Sequence, residues 1–299
     1  LVENRLSPLK EEDITNILYR GGTILGTSRT NPFKISGGVD KVVSTVKAND
    51  LEAIVAICGD DTIGVAHKLN KLPQPIPAIG VPQTIDNDIA GTDYAIGFDT
   101  AMATATEAIE RIHTTAESHH RIIVVEVMGR DAGHIALESG IAGGADIILI
   151  PEEPIDIKDV SARLKAMQTK GKRFAIVVVA EGATLSGGEQ VVRTKKTDMF
   201  GHAMLGGIAE YLSEELAKNT GMETRFTILG HLQRGGNPTA FDRLIATRLG
   251  FGAIELVNQK KWDYMVCIQG NKVIFVSLDN ALQVKPVDKK LYELAKKFD

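Results

Sequence analysis

Ala175-Ile176-Val177-Val178-Val179-Ala180, closed by Glu181-Gly182, is an apolar run with no polar break. A strand with one face in water alternates apolar and polar residues. An unbroken run predicts a strand buried on both faces, as in parallel sheets covered by helices. The same pattern recurs at Ile54-Val55-Ala56-Ile57, Ile122-Ile123-Val124-Val125 and Ile147-Ile148-Leu149-Ile150. Between these runs lie helix-length segments at Phe98 to Ser118, Val160 to Thr169 and Met204 to Lys218. Strand and helix in alternation predict a doubly wound α/β fold. There is no fixed-period repeat and no Gly/Ser-rich linker, so any crossing between domains runs through ordered chain, with residues 91 to 97 as one candidate.

Ligands of open parallel sheets bind beyond the carboxyl ends of the strands, and here those ends are polar. The Ile54 run leads into Gly59-Asp60-Asp61-Thr62, and Ala78-Ile79-Gly80-Val81 leads into Pro82-Gln83-Thr84-Ile85-Asp86-Asn87-Asp88. The Ile122 run reaches Glu126-Val127-Met128-Gly129-Arg130, and Thr227-Ile228-Leu229 reaches Gly230-His231-Leu232-Gln233-Arg234-Gly235-Gly236. The Gly59 turn offers backbone N–H groups to a phosphate, with Asp60 suited to Mg²⁺. Its competing reading is a plain helix N-cap. Asp86 and Asp88 place two carboxylates where an attacking alcohol needs a base, against the alternative of an Asx turn. Arg121, Arg130, Arg225 and Arg234 each flank an apolar run and suit phosphate, or else are solvated strand ends. Glu181 can accept from sugar hydroxyls, and His231 can donate to a substrate.

The chain has 299 residues, 43% apolar and 24% charged, enough for one large or two medium domains. A net charge of -4 argues against nucleic acid or an anionic membrane as partner. Cys58 and Cys267 lie far apart without zinc spacing and predict two buried, reduced thiols. No apolar run nears the ~20 residues of a membrane span, and no leader pattern precedes the first helix, so a cytoplasmic protein is expected. The chain begins with Leu1, which predicts a processed product or a fragment.

Together with Gly91-Thr92-Asp93-Tyr94, the four polar strand ends resemble, in order and approximate spacing, the motifs of the 6-phosphofructokinase family. The similarity runs from Arg20-Gly21-Gly22-Thr23 to about Gly250. It implies two Rossmann-like three-layer domains with mostly parallel sheets: a phosphoryl-donor domain over 1–97 plus 233–280, and a sugar-phosphate domain over 98–232 plus 281–299. It also implies a glycolytic enzyme that phosphorylates the 1-hydroxyl of fructose 6-phosphate, using Mg²⁺. By resemblance Asp86 is the base, Asp88 supports it, Thr84 contacts the transferring phosphoryl and Arg130 stabilises its charge. Asp60 matches the metal position and Arg29 an arginine near the donor phosphates, with Gly59, Asp61, Thr62 and Gln83 on the donor side. Met128, Gly129, Glu181, His231 and Arg234 match positions that hold the sugar phosphate. Arg121 and Arg225 match arginines that reach substrate from a neighbouring copy, which implies a homodimer or homotetramer.

The family's ATP users carry Gly where this chain has Asp61, and its pyrophosphate users carry Asp. A carboxylate about 4 Å from the ATP α-phosphate repels it by ~4 kcal/mol at an effective dielectric of ~20. That penalty corresponds to a preference of about a thousandfold, so pyrophosphate is the expected donor. Gln83 departs from both patterns, since pyrophosphate users have Lys there and many ATP users Gly. Members of the family also begin with a strand and a Gly-Gly-Asp loop that this sequence lacks before Leu1, which predicts that the chain is incomplete. The competing readings are ATP as donor, an inactive regulatory subunit of the same family, or an NAD or lipid kinase sharing a Gly-Gly-Asp turn.

Overall fold

The apolar runs form strands in the computed structural model, which describes residues 1–28, 30–187, 192–197 and 203–298. The chain opens with α1 (Glu11–Ile14), α2 (Gly38–Ala48), β1 (Ile54–Cys58), α3 (Asp60–Asn70) and β2 (Ala78–Pro82). It continues through α4 (Phe98–His119), β3 (Ile122–Val127), α5 (His134–Ala142), β4 (Ile147–Leu149), α6 (Ile157–Thr169) and β5 (Ala175–Ala180). The antiparallel ribbon β6 (Val192–Thr197) and β7 (Ala203–Leu205) precedes α7 (Ile208–Thr220) and β8 (Thr224–Ile228). A 3-10 turn over Gly230–Arg234 leads to α8 (Ala240–Asn258), β9 (Tyr264–Gln269), β10 (Lys272–Ser277), α9 (Leu278–Ala281) and α10 (Lys289–Ala295).

These elements divide into two compact units. The first comprises Leu1–Thr84, Ile89–Gly97 and Gly236–Lys285, and the second Ile85–Asp88, Phe98–Gly235 and Pro286–Asp299. The first unit holds a sheet in the order β1-β2-β9-β10, parallel except for the antiparallel β9–β10 pair. Alternation along β2 and β9 splits the core in two. Ala78, Met265 and Cys267 face Ile63 and Ala66 of α3, while Ile79, Val81, Val266 and Ile268 face Ile245, Leu249, Ala253 and Leu256 of α8.

The second unit holds an all-parallel sheet in the order β4-β5-β3-β8. On one face Ile122, Val124, Val177 and Val179 pack against Val160 and Leu164 of α6 and Ile208, Leu212 and Leu216 of α7. The spacing of 208, 212 and 216 is the i, i+4, i+8 stripe of a half-buried helix. Truncating fully buried Leu212 to alanine there costs about 2–5 kcal/mol.

Three expectations change. Val55 and Ile57 of β1 are 41% and 48% exposed, so this run is not buried on both faces. β1 is an edge strand, and the cluster built on α8 takes in β2 and β9 without reaching it. Helix α7 starts at Ile208 rather than Met204, because Gly206 and Gly207 stand at φ 121° and 91°, outside helical geometry. Cys267 is buried, but Cys58 is only half-buried.

Candidate active site

In the first unit the end of β1 turns through Gly59 into α3, whose first turn carries Asp60 and Asp61. The opening N–H groups of a helix have no partner within it, the kind of group that anions approach, and the Gly59 N-cap makes no side-chain cap hydrogen bond. The loop after β2 lies alongside. The Gln83 N–H donates to the Cys58 carbonyl at 2.9 Å, and a Cβ on Gly59 would stand 3.7 Å from the Thr84 Cβ. Asp60, Thr62 and Gln83 are exposed, whereas Asp61 and Thr84 are half-buried. Burial and then the nearby Asp60 charge push the Cys58 thiol up to about 12, so it is no nucleophile at neutral pH. Arg29 lies outside the described residues.

In the second unit, loops from three neighbouring strand ends are tied to one another. The Glu181 N–H donates to the Val127 carbonyl at 2.8 Å, and the Leu229 N–H to the Glu126 carbonyl at 3.0 Å. The Arg130 N–H donates to Glu181 Oε1 at 3.3 Å, and the Met128 N–H to Oε1 of buried Gln233 at 3.3 Å. Gly182 permits this closeness: a Cβ there would fall 1.8 Å from the Arg130 carbonyl oxygen. Arg130 has a φ of 50°, a left-handed conformation unusual for a long side chain. Asn87, at φ 54°, is a residue type that tolerates this region, and it separates Asp86 from Asp88 in the chain. Asp86 and Asn87 are buried, Asp88 and Arg130 half-buried, and His231 and Arg234 exposed.

The electrostatics gather on Glu181. Burial raises its carboxyl above the ordinary range, and the charges of Asp86 and Glu126 push the same way. The Arg130 backbone N–H and the Arg234 guanidinium act against them. Asp86, Glu181, Arg130 and Arg234 therefore share one neighbourhood, with Met128 and Gly129 on the adjoining loop. Carboxylates and guanidinium groups gathered around strand-end loops can bind a phosphorylated polyol and take a proton from it.

Arg121 and Arg225 are not part of that neighbourhood. Arg121 precedes β3 and Arg225 lies near the start of β8, at the amino ends of strands whose carboxyl ends carry Arg130 and Arg234. Both bind Glu223, at 2.9 Å and 2.5 Å, and the Arg121 hydrogen bond is the main force holding the Glu223 carboxyl below its usual range. Two residues of this neighbourhood, Glu126 and Gln233, do not figure among the sequence candidates. Their signal was available: Glu126 is an acid within an apolar strand, which must find partners once buried.

Among the described residues no three His, Cys, Asp or Glu side chains gather into a metal cage. The Asp60 carboxylate nevertheless fits Mg²⁺, which takes one or two carboxylates and leaves its other positions to water and substrate phosphate. Among the described residues no helix is long and apolar enough to cross a membrane.

The phosphofructokinase family profile matches residues 1–257. A pyrophosphate--fructose 6-phosphate 1-phosphotransferase of Amycolatopsis mediterranei is 50% identical over 293 residues, which cover 97% of this chain and 85% of that protein. An ATP-dependent 6-phosphofructokinase of Corynebacterium efficiens is 43% identical over 282 residues, covering 94% of this chain and 81% of that one. The fold matches that of a pyrophosphate-dependent phosphofructokinase from Nitrosospira multiformis with a TM-score of 0.80, at 23% identity, over 94% of this chain and 72% of that one.

Proposed function

The chain belongs to the phosphofructokinase family, and from that membership we infer that it transfers a phosphoryl group to the 1-hydroxyl of fructose 6-phosphate, with pyrophosphate as donor. The observation that carries the acceptor side is the joint placement of Asp86, Glu181, Arg130 and Arg234. Asp86 takes the proton of the 1-hydroxyl as its oxygen attacks the terminal phosphorus, and the bond from that phosphorus to the bridging oxygen breaks, releasing phosphate. Arg130 stabilises charge on the transferring group, and Thr84, two residues before Asp86, contacts it. Met128, Gly129, Glu181, His231 and Arg234 hold the sugar phosphate, and Asp88 supports the base. The Gly59–Thr62 turn and Gln83 receive the donor. Asp60 holds Mg²⁺, which supplies neutralisation of phosphate charge. Arg121 and Arg225 serve the acceptor site of a neighbouring copy in a homodimer or homotetramer, which accords with their place at the opposite end of the sheet.

The donor assignment rests on Asp61, half-buried in the first turn of α3. One observation favours ATP instead: Gln83 brings no positive charge to a second phosphate. Steady-state kcat/KM with each donor tests both parts. The wild type turns over fructose 6-phosphate with pyrophosphate, and Asp61→Gly raises ATP use by up to about a thousandfold. Strong ATP turnover by the wild type overturns the donor, and no turnover with either donor overturns the function.

A further inference from the structure

Glu126 is 2% exposed and sits in β3, paired through its backbone with Val179 on one side and Ile228 on the other. A carboxylate fixed there cannot turn out to water and must be satisfied inside the protein. Its partners are the first amides of α7. The Gly207 N–H donates to Oε1 at 3.1 Å and to Oε2 at 3.0 Å, and the Ala209 N–H donates to Oε2 at 3.0 Å. The first N–H groups of a helix have no partner within it, and the two carboxyl oxygens of Glu126 accept from them. The local sequence is shaped for the contact. Gly206 adopts a φ that L side chains rarely take, and a Cβ on it would stand 3.1 Å from Glu126 Oε1.

The strand end pinned in this way carries the acceptor loops. The Glu126 carbonyl accepts from the Leu229 N–H, one residue before the Gly230–Arg234 turn. Two residues further on, β3 becomes Met128-Gly129-Arg130. We propose that Glu126 is a positioning residue for sugar-phosphate binding, holding the Met128–Arg130 loop and the Gly230–Arg234 turn in register by anchoring the end of β3 to the start of α7. This inference rests on the fructose 6-phosphate reading of the site.

The test is Glu126→Gln in the whole chain. Glutamine keeps the shape but offers one acceptor oxygen, and its NH₂ faces amides that can only donate. The KM for fructose 6-phosphate rises roughly tenfold, while the KM for pyrophosphate stays within about twofold. A residue that merely held the fold would reduce the amount of active enzyme and leave both KM values in place, and that result overturns the proposal. Should the variant not fold, amide exchange on the wild type decides instead. Fructose 6-phosphate slows exchange at Gly207 and Ala209 and pyrophosphate alone does not; unchanged exchange overturns the proposal. Wild-type turnover beside an unaltered Glu126→Gln removes only this inference, whereas an inactive wild type removes the sugar-phosphate reading and this inference with it.

Discussion

The two units present polar strand ends of contrasting kinds. In the first unit the candidate side chains at the ends of β1 and β2 are exposed or half-buried, beside the backbone amides at the start of α3. In the second unit Asp86 and Glu126 are buried, Glu181 is half-buried, and the loops are tied by hydrogen bonds to one another. An exposed site suits a ligand that brings its own charge, counterion and water. A desolvated one suits a step in which a proton must move, because burial tunes protonation. The contrast teaches that one strand–loop–helix pattern can leave its polar loop open to water in one unit and largely exclude water in the other.

The largest effect should come from the second unit. Asp86→Asn keeps the shape but cannot accept the proton, so kcat falls by about a thousandfold with little change in the melting temperature. Asp60→Asn, in the exposed site, should instead raise the Mg²⁺ concentration needed for half-maximal rate, and added Mg²⁺ should restore much of the activity. Mg²⁺ titrations of both variants separate the two sites. A large kcat loss in Asp60→Asn at saturating Mg²⁺ would erase the contrast. A smaller effect is expected from Gly182→Ala, whose Cβ would drive the Arg130 loop away. A displacement of about 1 Å at a reacting site costs on the order of a hundredfold. That loss should appear in kcat/KM for fructose 6-phosphate and hardly at all in the KM for pyrophosphate.

Strands β3 and β5 were legible because every residue is buried, which leaves the apolar run unbroken. The run at Ile54–Ile57 looks the same on paper, yet β1 is an edge strand with Val55 and Ile57 in water. A strand's neighbours are set by topology, and composition does not carry that. The antiparallel return of β10 onto β9 escaped for the same reason, although Gly270, at φ 55°, marks the turn. Asp86, Glu181 and Arg130 stand out in the sequence as polar residues placed after strands, and the structure brings them into one neighbourhood. The arginines show where reading stops: the two edges of an apolar run are equivalent as pattern but opposite in space. Arg121 precedes β3 and Arg130 follows it, and β3 has 6 residues at about 3.3 Å each, placing its two ends roughly 20 Å apart. Glu126 escaped because a single acid in a strand does not reveal which helix start will meet it.

The smallest effect tests whether the second unit's site is desolvated enough to govern protonation. Burial and the neighbouring carboxylates lift the Glu181 carboxyl above its ordinary value of 4.5. A group raised in the folded state binds more protons there than in the unfolded chain. Its contribution to stability is therefore complete below about 4.5 and is lost as pH climbs through the raised folded value. Above that value Glu181 is held as a charge where its surroundings disfavour charge. Glu181→Gln removes the titration while its Oε1 still accepts from the Arg130 N–H. Melting curves from about pH 4 to pH 8 should show the variant gaining on the wild type as pH rises, with the smallest gap at the acid end. A gap that stays constant across the range would mean that burial does not govern the protonation of Glu181, and the distinction between the two sites would then rest on geometry alone.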